Sequence, residues 1–118
     1  MNLIDKTTRT IYLINRSTNE KRKYKMITEW HDKEAEKIWN MKFSTKLSHD
    51  IQKTARRKLV MIHSAAGIND LRVPPSNHLE ELKGDRAGQH SIRINDQYRI
   101  CFYWNNGNVI IEEIGDYH

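Results

Sequence analysis

The sequence predicts a small α+β protein in which an antiparallel sheet packs against two N-terminal helices, in the order β-α-α-β-β-β. Three observations lead to this prediction. The chain has 118 residues, which suffices for one domain. Apolar residues recur at helical spacing before a pair of prolines, and they alternate with polar residues after it.

Composition excludes several classes of protein. No apolar stretch approaches the ~20 residues that cross a bilayer, so we expect a soluble, cytoplasmic protein without membrane association. The single cysteine, Cys101, can neither form an internal disulfide nor hold a zinc ion alone. The six histidines show no i, i+4 pairing, and residues 84–88 lack the Gly-Lys-Ser/Thr ending of a P-loop. We therefore expect no metal and no cofactor.

The excess positive charge lies at the N-terminus. Residues 1–25 hold seven basic and two acidic residues, which accounts for the whole net charge of +5, and the remainder holds thirteen of each. We predict a basic extension over residues 1–25 and one domain over residues 26–118. The extension could be a solvated tail, an added hairpin, or translated sequence upstream of a true start at Met26. Because the body is neutral, an anion site there needs local clustering of cations.

The first strand, Ile27–Trp30, is followed by two helices. Asp32 is predicted to cap the first helix, and Ser48 the second, whose apolar stripe runs to a terminal Gly67. Basic residues lie opposite that stripe, and they form either the solvated face of the helix or a patch that faces nucleic acid: Lys53, Arg56, Arg57 and Lys58.

The second half of the sequence predicts strands. The Pro74-Pro75 pair excludes a helix, residues 79–83 form a short extended piece, and residues 84–88 form a turn. Alternating residues then indicate strands on both sides of an Asn106-Gly107 hairpin turn. Because neighbouring residues of a strand face opposite sides, Arg93 and Arg99 are expected on the sheet face away from the isoleucines.

RNA can be cleaved without a metal when its 2′-OH is the nucleophile. A base removes the hydroxyl proton, cations stabilise the charge that builds on the phosphoryl oxygens, and an acid protonates the leaving 5′ oxygen. Arg99 and Arg93 suit forked phosphate contacts, and Lys83 suits a point charge. The tripeptide Asp116-Tyr117-His118 offers a carboxylate, a phenol and an imidazole, and Tyr117 could instead stack on an unpaired base.

Three motifs occur together and in order: Leu82-Lys83-Gly84-Asp85-Arg86, Arg93-Ile94-Asn95-Asp96-Gln97-Tyr98-Arg99-Ile100, and Asp116-Tyr117-His118. With them the sequence resembles the HigB toxins, of the RelE/ParE superfamily of bacterial toxin–antitoxin systems, over residues 26–118. The resemblance implies a RelE-like fold and an endoribonuclease that cuts mRNA in the A site of the 30S ribosomal subunit without a metal, inhibiting translation and growth. It also implies silencing by a HigA-like helix-turn-helix antitoxin.

Carried over by position, the resemblance makes Lys83 and Arg99 the cations that neutralise the scissile phosphate. Asp116, Tyr117 and His118 would supply proton transfer, orientation and base contact. Some members of the family have a histidine three residues before the lysine, where this sequence has Glu80, so Glu80 is a candidate base and the assignment of base and acid stays open. Further RNA contacts are expected from Arg86, Arg93, Lys53 and Arg57. A ParE-like gyrase inhibitor and a catalytically inactive RNA- or antitoxin-binding module are the alternative functions.

Overall fold

The structure, a computed structural model, describes residues 26–105 and 108–116. It confirms the predicted α+β class, with two helices against one sheet. The helices are α1 (Lys33–Trp39) and α2 (His49–Ser64), and the strands are β1 (Ile27–Trp30), β2 (Glu80–Glu81), β3 (Gln89–Arg93), β4 (Tyr98–Asn105) and β5 (Asn108–Asp116). The predicted N-terminal extension, the Asn106-Gly107 turn, Tyr117 and His118 lie outside the described residues.

The sheet is mixed, which corrects the prediction of an antiparallel one. Its order is β1-β5-β4-β3-β2, and β1 runs parallel to β5 while the other pairs are antiparallel. Parallel neighbours need a long connection, and here both helices and the strands β2, β3 and β4 lie between β1 and β5 in the chain. A strand of four residues carries no sequence signal for the direction of its neighbour. The extended piece at residues 79–83 also contributes a strand, β2, at the opposite edge.

Asp32 begins α1 as predicted and has a second role. One carboxylate oxygen accepts the backbone N–H groups of Glu34 and Ala35, at 2.8 and 3.2 Å, and so satisfies donors that the first helical turn leaves without partners. The other oxygen accepts the N–H of Ile114 in β5, at 2.8 Å. The cap therefore also fixes α1 to the sheet.

Ser48 caps α2 as predicted, but the helix ends earlier than expected. Its last residue is Ser64, and Ala65 already has extended backbone. Gly67 has a φ of −147°, so it is not the left-handed C-terminal residue that the sequence predicts. A 3₁₀ turn, Ile68–Arg72, follows directly, and the Asp70 carboxylate accepts the N–H of Ala66 at 2.9 Å.

The basic residues of α2 do not share one environment. Lys53 and Arg57 are exposed. Arg56 donates from Nε to the carbonyl of Trp39 at 3.2 Å, and its guanidinium lies over the indole ring. Lys58 is only 6% exposed and donates to the side-chain oxygen of Asn77, which corrects its placement on the solvated face.

The helices cover one face of the sheet with an apolar core. Its largest fully buried members come from α2, the three central strands and the 3₁₀ turn after α2: Leu59, Ile62, Leu71, Ile92, Ile100, Phe102, Val109 and Ile111. The other face carries the polar residues of β3 and β4, so the fold separates a structural face from one available for chemistry. None of the helices in the described ranges has the length and apolar character to span a membrane.

His63 joins β1 to α2. Its Nδ1 accepts the N–H of Ile27 at 3.3 Å, and its ring packs on Trp39 with centroids 5.0 Å apart. Burial lowers the pKa of His63, so the neutral ring that can accept this bond is favoured.

Candidate active site

The candidate site begins with two arginines on the polar face of the sheet. Arg93 in β3 and Arg99 in β4 are direct partners in the antiparallel ladder. Ile92 and Ile100, their chain neighbours, are partners too and are fully buried on the helix side. The alternation that the sequence predicts thus brings both arginines to the same face.

Arg99 is fixed by several acceptors. Its Nε donates to the Ser91 hydroxyl at 2.8 Å, and its Nη2 donates to the His78 carbonyl at 2.6 Å. The Glu80 carboxylate lies 3.8 Å from the same Nη2. Arg99 is only 5% exposed, and a buried charge of this kind requires such partners. Sequence patterns did not point to these two acceptors, because one is a main-chain carbonyl and the other is a serine whose contact with Arg99 depends on strand pairing.

The carbonyl of His78 reaches Arg99 from a loop corner. Residues 73–78 contain a cis peptide bond between Val73 and Pro74 and a short 3₁₀ turn, Pro75–Asn77. His78 follows with a φ of 46°, a left-handed conformation that costs energy for a residue with a side chain. Contacts with surrounding residues are therefore needed to keep this loop corner in its conformation.

Glu80, the candidate base, lies beside Arg99. It is the partner of Ser91 across the β2–β3 pair, and its side chain is 45% exposed. Since residues opposite each other in a ladder share a face, Glu80 belongs to the same polar surface as the arginine. A substrate on this surface would reach its carboxylate.

Lys83 and Arg86 occupy the loop after β2. Lys83 is exposed and directly precedes the 3₁₀ turn Gly84–Arg86, and glycines with positive φ, Gly84 and Gly88, allow the tight course of this loop. Arg86, an expected RNA contact, is instead bound to Glu113 of β5 at 2.7 Å and to the side-chain oxygen of Gln89. The bond to Glu113 raises the pKa of Arg86. The arginine ties the Lys83 loop to the sheet.

The remaining expected RNA contacts are a group of basic residues on β3 and α2. Arg93 donates to the carbonyl of Asn95 at 3.1 Å and forms an ion pair with Asp96. Lys58 lies near enough to Arg57 and Arg93 for their charges to lower its pKa, after the larger effect of burial. Lys53, one turn before Arg57, is exposed.

Asp116 and Arg99 belong to opposite faces of the sheet. Asp116 is the ladder partner of Tyr98, so strand alternation places it on the opposite face, whereas Gly115 is directly opposite Arg99. Its Oδ2 accepts from the Gln97 amide at 3.0 Å. The family resemblance and the C-terminal tripeptide grouped Asp116 with the site, but strand alternation places it on the other face of the sheet from Arg99.

Cys101 is the partner of Ser91 on the same face, yet it is buried. Burial raises the pKa of its thiol, so Cys101 stays protonated and is a poor nucleophile. Within residues 26–105 and 108–116, no three His, Cys, Asp or Glu side chains gather into a set that could hold a metal ion.

The fold resembles that of chains in two solved toxin–antitoxin complexes. Two solved structures of the YoeB–YefM complex from Staphylococcus aureus, one described as a heterotetrameric toxin–antitoxin complex, contain chains that superpose with TM-scores of 0.53 and 0.52 at 18% identity. Each match covers 80% of this chain and 98% of the other. At this identity the likeness shows the fold alone.

Sequence comparison identifies the family. The model of the RelE-like toxin of the type II toxin–antitoxin system HigB matches residues 28–118, and the chain belongs to this family. Toxin HigB-1 of Vibrio cholerae is 37% identical over 83 residues, which are 70% of this chain and 87% of that protein. An uncharacterised protein of Haemophilus influenzae is 43% identical over 65 residues, 55% of this chain and 64% of that one.

Proposed function

We propose that this toxin is an endoribonuclease that cleaves mRNA in the A site of the 30S ribosomal subunit, without a metal ion, and so inhibits translation and growth. The observation that carries the proposal is the guanidinium of Arg99, held rigidly in the polar face beside the Glu80 carboxylate. A planar, permanently charged group in a fixed position suits the phosphoryl oxygens of a transition state.

In the proposed reaction the 2′ oxygen attacks the adjacent phosphorus while the bond to the 5′ oxygen breaks. The products are a 2′,3′-cyclic phosphate and a free 5′-hydroxyl. Lys83 and Arg99 stabilise the charge on the phosphoryl oxygens. Glu80 and His118 are the pair that takes the 2′-OH proton and returns one to the 5′ oxygen, and Tyr117 stacks on a base. Asp116 supports the end of β5 through Gln97.

The basic residues on β3 and α2 supply RNA contacts in this proposal. Arg57, Lys53 and Arg93 are directed at the phosphates that flank the cleaved one. Arg86 acts mainly on the loop, because its charge is already paired with Glu113. Since residues 26–118 have no net charge, binding to free RNA releases few counterions and is weak. The ribosome then provides most of the affinity.

We propose a cytoplasmic protein, since its substrate is a translating ribosome, and a helix-turn-helix antitoxin as its partner. The assembly of YoeB with YefM in the structural neighbours supports an antitoxin. An antitoxin that reached Arg99 or Lys83 would block the phosphate site directly.

Mapping of transcript ends tests the proposed function. Purified protein is added to ribosomes programmed with a defined mRNA, and cuts are expected in the A-site codon, with 5′-hydroxyl ends. Arg99→Ala is expected to abolish them while keeping the circular dichroism spectrum, and Lys33→Ala, an exposed cation on α1, is expected to cleave normally. Intact transcripts together with gyrase-dependent DNA damage would refute the proposal and support the gyrase inhibitor. Ribosome binding without cuts would refute it and support the inactive module.

A further inference from the structure

Lys58 is a buried cation that the reaction described above does not use. Its ammonium group donates to the side-chain oxygen of Asn77, a residue that is itself fully buried. Within the ranges that the structure describes, no carboxylate lies within ion-pair distance of it. Burial of a charge with a neutral partner is costly, and an apolar residue here would extend the core stripe of α2. Packing alone therefore does not explain why a lysine occupies this position.

Asn77 uses both ends of its amide to hold the loop corner at residues 73–78. The oxygen accepts from Lys58, and the nitrogen donates to the carbonyls of Leu71 and Val73, at 3.1 and 3.4 Å. The next residue, His78, has the left-handed backbone whose carbonyl binds Nη2 of Arg99 at 2.6 Å. Lys58 in α2 is thus linked to the guanidinium of Arg99 through Asn77 and the next residue, His78.

We propose that Lys58 and Asn77 are positioning residues that orient Arg99 for phosphate binding through the carbonyl of His78. This inference rests on the proposed function, in which Arg99 contacts the scissile phosphate. Lys58 acts through Asn77 and does not touch the RNA.

The geometry explains why Arg99 needs this support. Ser91 accepts from Nε through its hydroxyl at 2.8 Å and, over a longer distance of 3.4 Å, from Nη2 through its carbonyl. The His78 carbonyl makes the shorter bond to Nη2, at 2.6 Å, and so contributes most to the restraint on that end of the group. Ser91 lies in a strand of the sheet, whereas His78 lies in a corner outside the strands, where side chains supply the restraint. A displacement near 1 Å at a reacting group costs up to roughly a hundredfold in rate.

The test compares Lys58→Met, Lys58→Gln and the control Lys33→Met. The rate constant of single-turnover cleavage is measured on programmed ribosomes at saturating protein, and ribosome affinity by cosedimentation. Lys58→Met is expected to lower the rate constant roughly tenfold or more at unchanged affinity. Lys58→Gln is expected to recover part of it, because its amide can donate to Asn77. Equal rate constants for Lys58→Met and Lys33→Met would overturn the inference.

A second measurement does not depend on cleavage. Hydrogen exchange at Nε of Arg99, followed by NMR, is expected to accelerate in Lys58→Met and to stay as in wild type in Lys33→Met. Unchanged exchange in folded Lys58→Met would overturn the positioning role. If the wild type does not cleave but exchange responds as expected, the proposed function fails while the structural linkage stands.

If Lys58→Met does not fold, a substitution at Asn77 provides a second test. Asn77→Asp keeps the side-chain volume and an acceptor for Lys58 but removes the donors to Leu71 and Val73. The same loss of rate and the same faster exchange are expected from it. If neither Lys58→Met nor Asn77→Asp folds, the pair is part of the scaffold and the inference is overturned.

Discussion

Arg93 and Arg99 lie directly opposite each other on β3 and β4, but their guanidiniums have different environments. Arg99 is 5% exposed and is bound by Ser91 and the His78 carbonyl. Arg93 is about a third exposed and is paired with Asp96 in the following turn. In the proposed reaction the first makes a fixed contact with one phosphate, and the second makes an adaptable contact with the RNA strand.

Lysine substitutions separate these two roles. Arg99→Lys keeps the charge but cannot donate to Ser91 and His78 as a fork, so cleavage on programmed ribosomes is expected to fall by roughly 10²–10³-fold. Arg93→Lys is expected to change the rate constant by less than about tenfold. Similar losses in both variants would contradict the division of roles.

Ser91 is expected to contribute to the stability of the fold. Ser91→Ala removes the acceptor of the Arg99 Nε in a fully buried position, and a buried donor without its partner costs about 1–3 kcal/mol. Urea unfolding measures this change. Ser76→Ala, in an exposed residue, is the matched control and should unfold within about 0.5 kcal/mol of wild type.

The ion pair of Arg86 and Glu113 is expected to contribute little to stability. Each side chain is 40% exposed, so water and salt screen the attraction, and a double-mutant cycle with alanines should give a coupling of about 1 kcal/mol or less. Cleavage should fall more clearly, because the pair holds the loop that carries Lys83. A coupling that persists in 1 M salt would argue against a screened pair.

His63 makes the fold sensitive to acid. Its pKa is lowered in the folded state, so the unfolded chain binds the proton more strongly and the neutral ring stabilises the fold above its ordinary pKa of 6.5. The free energy of unfolding is expected to fall as the pH drops below 6.5 and through the lower folded-state pKa. His63→Gln, which can still accept from Ile27, should remove this part of the slope in urea titrations between pH 8 and 5.

His31 has the opposite effect. Hydrogen bonds to Glu29 and Glu112 raise its pKa, so its contribution is fully present below 6.5 and is lost as the pH rises through the higher folded-state value. His31→Asn should therefore lower the thermal midpoint more at pH 5.5 than at pH 8. An equal change at both pH values would show that the charge of the ring plays no part.

Sequence patterns predicted the parts of the fold that depend on local chemistry. The caps at Asp32 and Ser48, the two helices and the alternation that unites Arg93 with Arg99 follow from rules that act within a few residues. The direction of β1 and the burial of Lys58 depend on neighbours far along the chain, so periodicity could not reveal them.

Sequence reasoning also predicted some parts of the candidate site and missed others. Residue type and family motif pointed to Arg99, Lys83 and Glu80, and the structure brings Glu80 beside Arg99. The main-chain carbonyl of His78 has no signature in side-chain chemistry. Asp116 was grouped with its sequence neighbours, although the alternation of β5 separates it from Arg99.

The position of β5 has a consequence for synthesis of the protein. This strand is the most C-terminal described element, yet it lies between β1 and β4, and Asp32 reaches Ile114 across 82 residues. Such distant pairing forms late in folding. While a ribosome is still translating the region of β5, β1 and α1 lack their place on the sheet and Arg99 lacks its neighbouring strand. The sheet that surrounds Arg99 is therefore complete only after β5 has been synthesised.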